Sequence, residues 1–388
     1  MLTGAYEFLP QDRVIFGRPA AEAVSDTLDK LGCKRAYIVS SNTLHTKTDV
    51  IDAISKRLGD RCAGVFSSCI EHVPRESALE LARILRKEKP DLVVTVGGGT
   101  PVDTVKVALA LLAENIDDVS GFDSIRIRVN EKGERVVPTI GMPPMRQIIV
   151  PTTLSGAEFS MLGGSTDRVR QVKDLYMGRY IGSQVVILDP AITVHTPEAL
   201  WLSTGVRAID HAVETVCSRA PQPFTDGTCL YALQLLGRSL RLNRAEPGNL
   251  EARLDSQLAV WLATTGLGRI DWGASHGIGH QLGAVANVPH GYCSCVMLPS
   301  VLRYNAGVGA DRQRLVSRAL GDENKSAAEL VGKLIADLGM PTTLRDVGVR
   351  RDQFEAIGNG AMQNMMVRSN PRKIDDPSQV KEILEMAW

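Results

Sequence analysis

The hydrophobic pattern of this chain changes period once, near Asp189-Pro190, and that change implies two kinds of architecture in one polypeptide. Before it, short β-rich runs alternate with helical stretches. Ala36-Tyr37-Ile38-Val39, Asp91-Leu92-Val93-Val94-Thr95-Val96, Gln147-Ile148-Ile149-Val150 and Val185-Val186-Ile187-Leu188 read as buried strands. Between the first two, the stretch from Glu76 to Lys89 puts Leu79, Ala82 and Leu85 on one helical stripe. Strands separated by helices imply crossover connections and a parallel sheet covered on both faces. One hairpin is expected in this half, residues 125–129 against 135–137 across a turn at Asn130-Glu131-Lys132-Gly133.

After Pro190 the strand signal stops. Windows 201–218, 231–242, 250–265, 326–338 and 377–386 read as helices. Turn clusters such as Arg219-Ala220-Pro221-Gln222-Pro223 and Glu246-Pro247-Gly248-Asn249 separate them. The expected organisation is an α/β nucleotide-type domain over residues 1–190 and an all-helical domain over 191–388. A cleft between two such domains is a usual place for a small-molecule site.

Charge and composition narrow the partners. Lys+Arg and Asp+Glu each number 44, so the net charge is zero and no surplus of cations exists to neutralise a polyanion. A nucleic-acid partner is therefore not expected. No apolar run approaches the ~20 residues of a membrane span, and Met1-Leu2-Thr3-Gly4-Ala5-Tyr6 carries neither the basic nor the apolar region of a secretory signal. Seven scattered cysteines fit reduced thiols in the cytoplasm better than a disulfide framework.

Three motifs carry chemistry. The strand ending at Val96 runs into Gly97-Gly98-Gly99-Thr100-Pro101-Val102-Asp103 and then an apolar helix. Glycines let a ligand approach bare backbone N–H groups, and the helix start offers its positive end to a pyrophosphate. A plainer reading makes Thr100 the N-cap and Pro101 the first helical residue. The spacing is not the G-x-G-x-x-G of the common dinucleotide fingerprint. The second motif, Pro151-Thr152-Thr153-Leu154-Ser155-Gly156-Ala157-Glu158, places small hydroxyl residues at the end of a parallel strand, where open α/β sheets bind ligands. The third is histidine. Five of the seven lie in the helical half, with His211 in one segment and His276, His280 and His290 in another. His276 and His280 share a helical face at i, i+4, and three imidazoles in one pocket can hold Zn²⁺ or Fe²⁺ or move protons.

In this order, the glycine loop, the Pro-Thr-Thr element, the His211 helix and the His276-x₃-His280-x₉-His290 spacing resemble the iron-containing (group III) alcohol dehydrogenases. Glu71-His72-Val73-Pro74, Arg13-Val14-Ile15-Phe16-Gly17 and the Thr152–Glu158 stretch look most like maleylacetate reductases, which use NADH or NADPH to reduce a ring-cleavage product of aromatic-compound degradation. The resemblance implies a Rossmann-like α/β domain plus a helical domain, the plan shared with dehydroquinate synthase. It implies a cofactor site at Gly97, Gly98, Gly99, Thr100, Asp103, Thr152, Thr153 and Lys173. It also implies catalytic-site residues His211, His276, His280 and His290, and a homodimer. The metal set it implies is His211, His276 and His290 together with an aspartate four residues before His211.

This chain has Arg207 at that last position. A guanidinium removes a negative ligand and sets a positive charge beside the ion, a repulsion of ~4 kcal/mol for unit charges ~4 Å apart at an effective dielectric of about 20. The expectation is therefore a site without tight metal, and the retained three-histidine site is the alternative. Arg207 can instead bind a substrate carboxylate or a developing oxyanion, or pair with Asp210 at the surface. The function expected is hydride transfer from NADH or NADPH to a small carboxylated enone or carbonyl, with a histidine, His280 first, giving the proton. A metal-dependent alcohol dehydrogenase, a dehydroquinate-synthase-like lyase and a nucleotide-binding protein without turnover are the rivals. Ser40-Ser41-Asn42 ends its strand with no acidic residue, which leaves both NADH and NADPH open. Cys293 and Cys295 read as packing residues.

Overall fold

A computed structural model describes residues 3–130 and 134–388. Met1 and Leu2 of the N-terminal segment, and Glu131, Lys132 and Gly133 of the expected turn, lie outside the described residues. The chain divides into two compact units. One spans Glu7–Thr196, and the other joins the residues up to Tyr6 to Pro197–Trp388.

The strands in chain order are β1 (Arg13–Phe16), β2 (Ala36–Ser40), β3 (Cys62–Phe66), β4 (Leu92–Gly97), β5 (Arg128–Val129), β6 (Arg135–Val136), β7 (Arg146–Pro151), β8 (Leu162–Asp167), β9 (Val172–Met177) and β10 (Ser183–Leu188). Six of them form one sheet in the order β1-β10-β7-β4-β2-β3, every pairing parallel. The run Leu92-Val93-Val94 explains why both faces are covered. Val93 joins the layer under the helices Arg75–Glu88 and Gly99–Ala113, while Val94 joins the layer under Ala20–Leu31 and Val50–Leu58. Alternate residues of a strand point to opposite faces, so a strand buried on both sides is apolar throughout. From β2 the chain steps outward to β3, then returns to β4 on the other side and continues through β7 to β10 and away from β2. That reversal makes the carboxyl ends of β2 and β4 the switch point of the sheet, the place where open α/β sheets bind ligands.

Two local expectations need correction. The hairpin is shorter than the pattern implied: Phe122–Ile125 is a helical turn, and only Arg128–Val129 pairs with Arg135–Val136. Asp118 accepts from the Ser120 and Gly121 backbone N–H groups, and this tight turn starts a helix in which Phe122 and Ile125 bury on one side. A second hairpin, β8 with β9, escaped the pattern. Its first strand, Leu162-Gly163-Gly164-Ser165-Thr166-Asp167, has the composition of a loop. The glycines permit close packing instead: a Cβ on Gly163 would lie 2.9 Å from Lys106 Cβ.

Lys106 is itself a buried cation. Its Nζ donates to the carbonyls of Ala157 (2.6 Å) and Leu162 (2.8 Å), tying the glycine-loop helix to the segment after β7. Burial pushes its ammonium down to about 8, against the pull of Asp103 and Glu158. Burial likewise pushes the Glu158 carboxyl up to about 7, against Lys106.

Helices fill the second unit, and no strand occurs after β10 among the described residues. Glu198–Val216 packs against Pro223–Ala245, Leu250–Ala263 and His290–Asn305. It is buried along most of its length because helices cover it on several sides. Tyr6 belongs here because its hydroxyl donates to Thr265 O at 2.9 Å and its ring meets Phe224 edge-on at 4.7 Å. All seven cysteines are free thiols, with Cys293 and Cys295 buried as packing residues. Among the described residues no helix is long and apolar enough to cross a membrane.

Glu158 gives a stability test. Its folded-state value of about 7 lies above the ordinary 4.5, so the folded state holds a proton that the unfolded chain has released. That stability is complete below pH ~4.5 and is lost as pH rises through about 7, by up to about 3 kcal/mol. Glu158→Gln keeps the neutral form at every pH. Relative to the native protein it should therefore gain about that much between pH 5 and pH 8 in denaturant titrations. A difference independent of pH contradicts the assignment.

Candidate active site

The residues expected to hold a nucleotide gather at the carboxyl end of the sheet. Gly97 ends β4 beside Pro151 of β7, and Thr152 N donates to Gly97 O at 3.1 Å. Gly97 has φ +146°, and a Cβ there would lie 2.9 Å from Pro101 Cγ. A Cβ on Gly98 would lie 2.8 Å from Thr153 Cγ2, so the loop and the Pro-Thr-Thr turn fit only when that side chain is absent. The N-cap of the following helix is Gly98, not Thr100, and no side chain caps it. Three glycines let the chain enter the helix early, at Gly99, which leaves Thr100 and Pro101 already inside its first turn. A helix start without a side-chain cap keeps its N–H groups for another acceptor. Asp103 Oδ2 accepts from Gly164 N at 3.3 Å. A Cβ on Gly164 would meet Lys173 Cε at 2.5 Å, so Asp103 and Lys173 flank one glycine of β8.

In the helical unit, Arg207, Asp210, His211 and Glu214 recur at helical spacing along Glu198–Val216 and are all buried. His276 and His280 lie on Ala274–Ala286, and His290 opens His290–Asn305. The Glu214 carboxylate accepts from Gly273 N (3.1 Å), Ser275 N (2.9 Å) and His276 N (3.4 Å), so it caps the His276 helix from a neighbouring one. A carboxyl group at a helix N-terminus satisfies donors that have no partner within the helix. Glu214 Oε2 also lies 2.7 Å from His276 Nδ1. The His211 ring stacks on Trp272 at 4.7 Å and on His276 at 5.2 Å.

Arg207 is not at the surface. It is 6% exposed, and its guanidinium reaches Ser294 Oγ through Nη1 and His290 Nε2 through Nη2, each at 3.0 Å. Asp210 Oδ2 stands 3.8 Å from Nη1 and accepts from the Ser294 hydroxyl at 2.7 Å and the Ser275 hydroxyl at 2.9 Å. The surface pairing of Arg207 with Asp210 is thus replaced by a buried one, bridged by Ser294. His290 and Ser294 are one turn apart, which is why one guanidinium spans both. The rings of His280 and His290 stack at 5.7 Å and 8°.

Burial pushes the Arg207 guanidinium down, opposed by Asp210, yet arginine does not deprotonate in proteins. Burial, then the Arg207 charge, holds His211 and His276 well below the ordinary histidine range, so both rings are neutral near pH 7. Asp210 is pushed up to about 6 by burial, against Arg207 and two serine hydroxyls. Glu214 is pushed up to about 8 by burial and Asp210, against its three backbone donors.

These groups do not fit a divalent ion among residues 207, 211, 276 and 290. Arginine only donates, so the Arg207 contact engages the lone pair of His290 Nε2, and the neutral ring then carries its proton on Nδ1. His276 has the form of a ligand, with Nδ1 on Glu214 and Nε2 buried without a hydrogen-bond partner, and His211 Nδ1 and Asp210 Oδ1 are likewise buried without one. Donor atoms of Asp210, Glu214 and His276 do lie within 4.8 Å of one another. Glu214 and Asp210 Oδ2, however, are already engaged with backbone N–H groups, an imidazole and two hydroxyls.

The structure brings Arg207, His211, His276, His280 and His290 into one cluster, as the sequence reading required. Sequence spacing missed the parts played by Glu214, Ser275, Ser294, Trp272 and Asn364, whose amide nitrogen lies 3.1 Å from His280 Nδ1, and placed Asp210 only as a surface partner of Arg207. Glu214 at i+3 from His211 and Ser294 at i+4 from His290 were within reach of helical spacing. Trp272 and Asn364 carried no spacing signal.

Residues 10–190 match the iron-containing alcohol dehydrogenase model, and residues 201–388 match the C-terminal model of the Fe-containing alcohol dehydrogenase family. Dehydrogenase ALT3 of Alternaria alternata is 34% identical over 377 residues, covering 88% of this chain and 95% of that protein. Lactaldehyde reductase of Escherichia coli K12 is 28% identical over 389 residues, covering 96% and 97%. The crystal structure of maleylacetate reductase from Agrobacterium tumefaciens superposes with a TM-score of 0.84 at 26% identity, covering 100% of this chain and 99% of that one. With both units matched, the chain belongs to the iron-containing alcohol dehydrogenase family and is an oxidoreductase of that family.

Proposed function

We propose that this protein is an NAD(P)H-dependent reductase of a small carboxylated enone or carbonyl compound, of the kind maleylacetate represents, and that it works without a divalent metal. The single observation carrying this reading is the Arg207 guanidinium, buried within the histidine cluster with Asp210 as its counter-charge. A fixed cation there favours an anionic substrate and a developing oxyanion. The likeness to a maleylacetate reductase structure supports the same substrate class.

In this reading the α/β unit holds the dinucleotide, with its phosphates on the Gly97–Gly99 loop and the helix start, Thr100 in the first turn, Thr152 and Thr153 along the chain of the cofactor, and Asp103 and Lys173 near a ribose. The neutral end of β2 accepts either NADH or NADPH. A bound nicotinamide would supply the hydride to the electrophilic carbon, and a histidine of the cluster would supply the proton that quenches the negative charge left on the carbonyl oxygen. His280 is the proposed donor, while Arg207 and its partners stabilise the charge. A homodimer, as the family resemblance implies, is part of the proposal.

One observation favours a second reading, a metal-dependent alcohol dehydrogenase. His276 keeps a buried acceptor nitrogen without a partner, oriented by Glu214 as metal-ligating histidines are. A nucleotide-absorbance assay separates the two. With maleylacetate, NAD(P)H oxidation should proceed unchanged after chelation and should exceed that with simple aldehydes. Loss of activity on chelation, restored by Fe²⁺ or Zn²⁺, contradicts the first reading. The cofactor assignment has its own test. Gly97→Ala strains a φ of +146° and meets Pro101, so NAD(P)H affinity by fluorescence titration should fall about tenfold or more, ~1.4 kcal/mol. Unchanged affinity would move the nucleotide elsewhere.

A further inference from the structure

We propose that Asn364 is a positioning residue: its side-chain amide holds His280 in the tautomer with the proton on Nε2, and thereby makes that nitrogen the donor to the substrate oxygen. This inference rests on the reading of His280 as proton donor.

The partners of the Asn364 amide fix which of its ends is which. Asn364 precedes the short helix Met365–Arg368, and its Oδ1 accepts from Met366 N at 3.0 Å. A backbone N–H can only donate, so the atom facing it is the carbonyl oxygen, and the other is the NH₂ nitrogen. That nitrogen also lies 3.5 Å from Gly277 O, which can only accept. The same Nδ2 is 3.1 Å from His280 Nδ1. An amide NH₂ offers hydrogens and no lone pair, so His280 Nδ1 is the acceptor and the neutral ring carries its proton on Nε2.

The surrounding backbone is shaped for this contact. Gly277 sits one turn before His280, where a Cβ would lie 2.5 Å from Val367 Cγ2 and 2.9 Å from Val367 N. The Asn364–Val367 turn can therefore close on the helix only over a glycine. On its face, the His280 ring stacks with His290 at 5.7 Å. His290 Nε2 in turn accepts from Arg207 at 3.0 Å, so the two parallel rings are fixed as opposite tautomers.

The chemistry follows from the assignment. As hydride adds to the carbon and the π pair moves to oxygen, Nε2–H hydrogen-bonds the developing anion and gives up its proton to it. The ring then regains a proton on Nε2 from water. A neutral imidazole can serve as the electrophile in this way without first becoming an imidazolium.

Asn364→Asp tests the proposal because it matches asparagine in size and is an equally good helix cap. A carboxylate only accepts, so it draws the His280 proton to Nδ1 and leaves Nε2 as a lone pair. The tautomer is read by long-range ¹⁵N–¹H NMR of histidine-labelled full-length protein at about pH 8.5, where imidazolium is minor, and His280→Gln identifies the signal. Native protein should show a protonated Nε2, and the Asp variant a protonated Nδ1. At the same pH, kcat of the Asp variant should fall about tenfold or more, with nucleotide KM within about twofold and the melting temperature unchanged. Asn364→Ala, which only removes the donor, should fall between the two. A native ring protonated on Nδ1, or an Asp variant with native tautomer and native kcat, overturns the proposal. Native kcat in His280→Gln would instead remove His280 from the reaction, and the NMR result would still judge Asn364.

Discussion

A positive charge buried in the helical unit sets the terms for everything around it. The Arg207 guanidinium is 6% exposed, and an unpaired charge at that depth costs several kcal/mol. Its compensation comes from two helices. Asp210 lies one turn along on its own helix, while Ser294 and His290 lie on the helix that begins at His290. Asp210 is shared further, because the Ser275 hydroxyl at the start of the His276 helix also donates to it. Three helices are thus registered against one another by a single cation and its counter-ion. Breaking one partner of such a group is far more costly than any surface pair, because it strands the other.

The neighbours of each histidine, this charge among them, decide what its ring can do. His290 spends its Nε2 lone pair on the guanidinium, His276 directs Nδ1 to Glu214, and His280 accepts from Asn364 on Nδ1. Four imidazoles that look interchangeable in a sequence are differentiated by their neighbours. His211, stacked between Trp272 and His276, is held neutral by burial and by the nearby arginine. A family named for iron here carries, at the place of an expected ligand, a cation of its own. On the proposed reading a fixed monovalent charge stands in place of a divalent ion, an arrangement that would suit an anionic substrate better than a simple alcohol.

Much of the fold was legible from periodicity. Strands β2, β4, β7 and β10, the change of character near Asp189-Pro190 and the long helices after it follow from where apolar residues recur, whereas the edge strands β1 and β3, largely half-buried, carry no such signal. The β8–β9 hairpin was not legible, because Gly163 and Gly164 serve packing against Lys106 and Lys173, and no local rule reads such tertiary demands. The capping of the glycine-loop helix was misplaced for a related reason, since Gly98 begins the helix without any side-chain signal. In the site, the histidines and Arg207 stood out by spacing and by departure from a pattern. Arg207 was read as free for substrate or paired at the surface, because burial is a property of the whole assembly of helices. Asn364 lies 84 residues from His280 and meets it only through the packing of the last helices.

The central claim is that a guanidinium has taken the place of a metal ion. Metal titration by calorimetry, on apo protein with Zn²⁺ and with Fe²⁺ under anaerobic conditions, tests it without reliance on activity. The native protein should bind neither ion with stoichiometry at the histidine cluster, and Arg207→Asp should acquire a site that is lost again in Arg207→Asp/His276→Gln. Tight stoichiometric binding by the native protein, abolished by His276→Gln, would contradict the account.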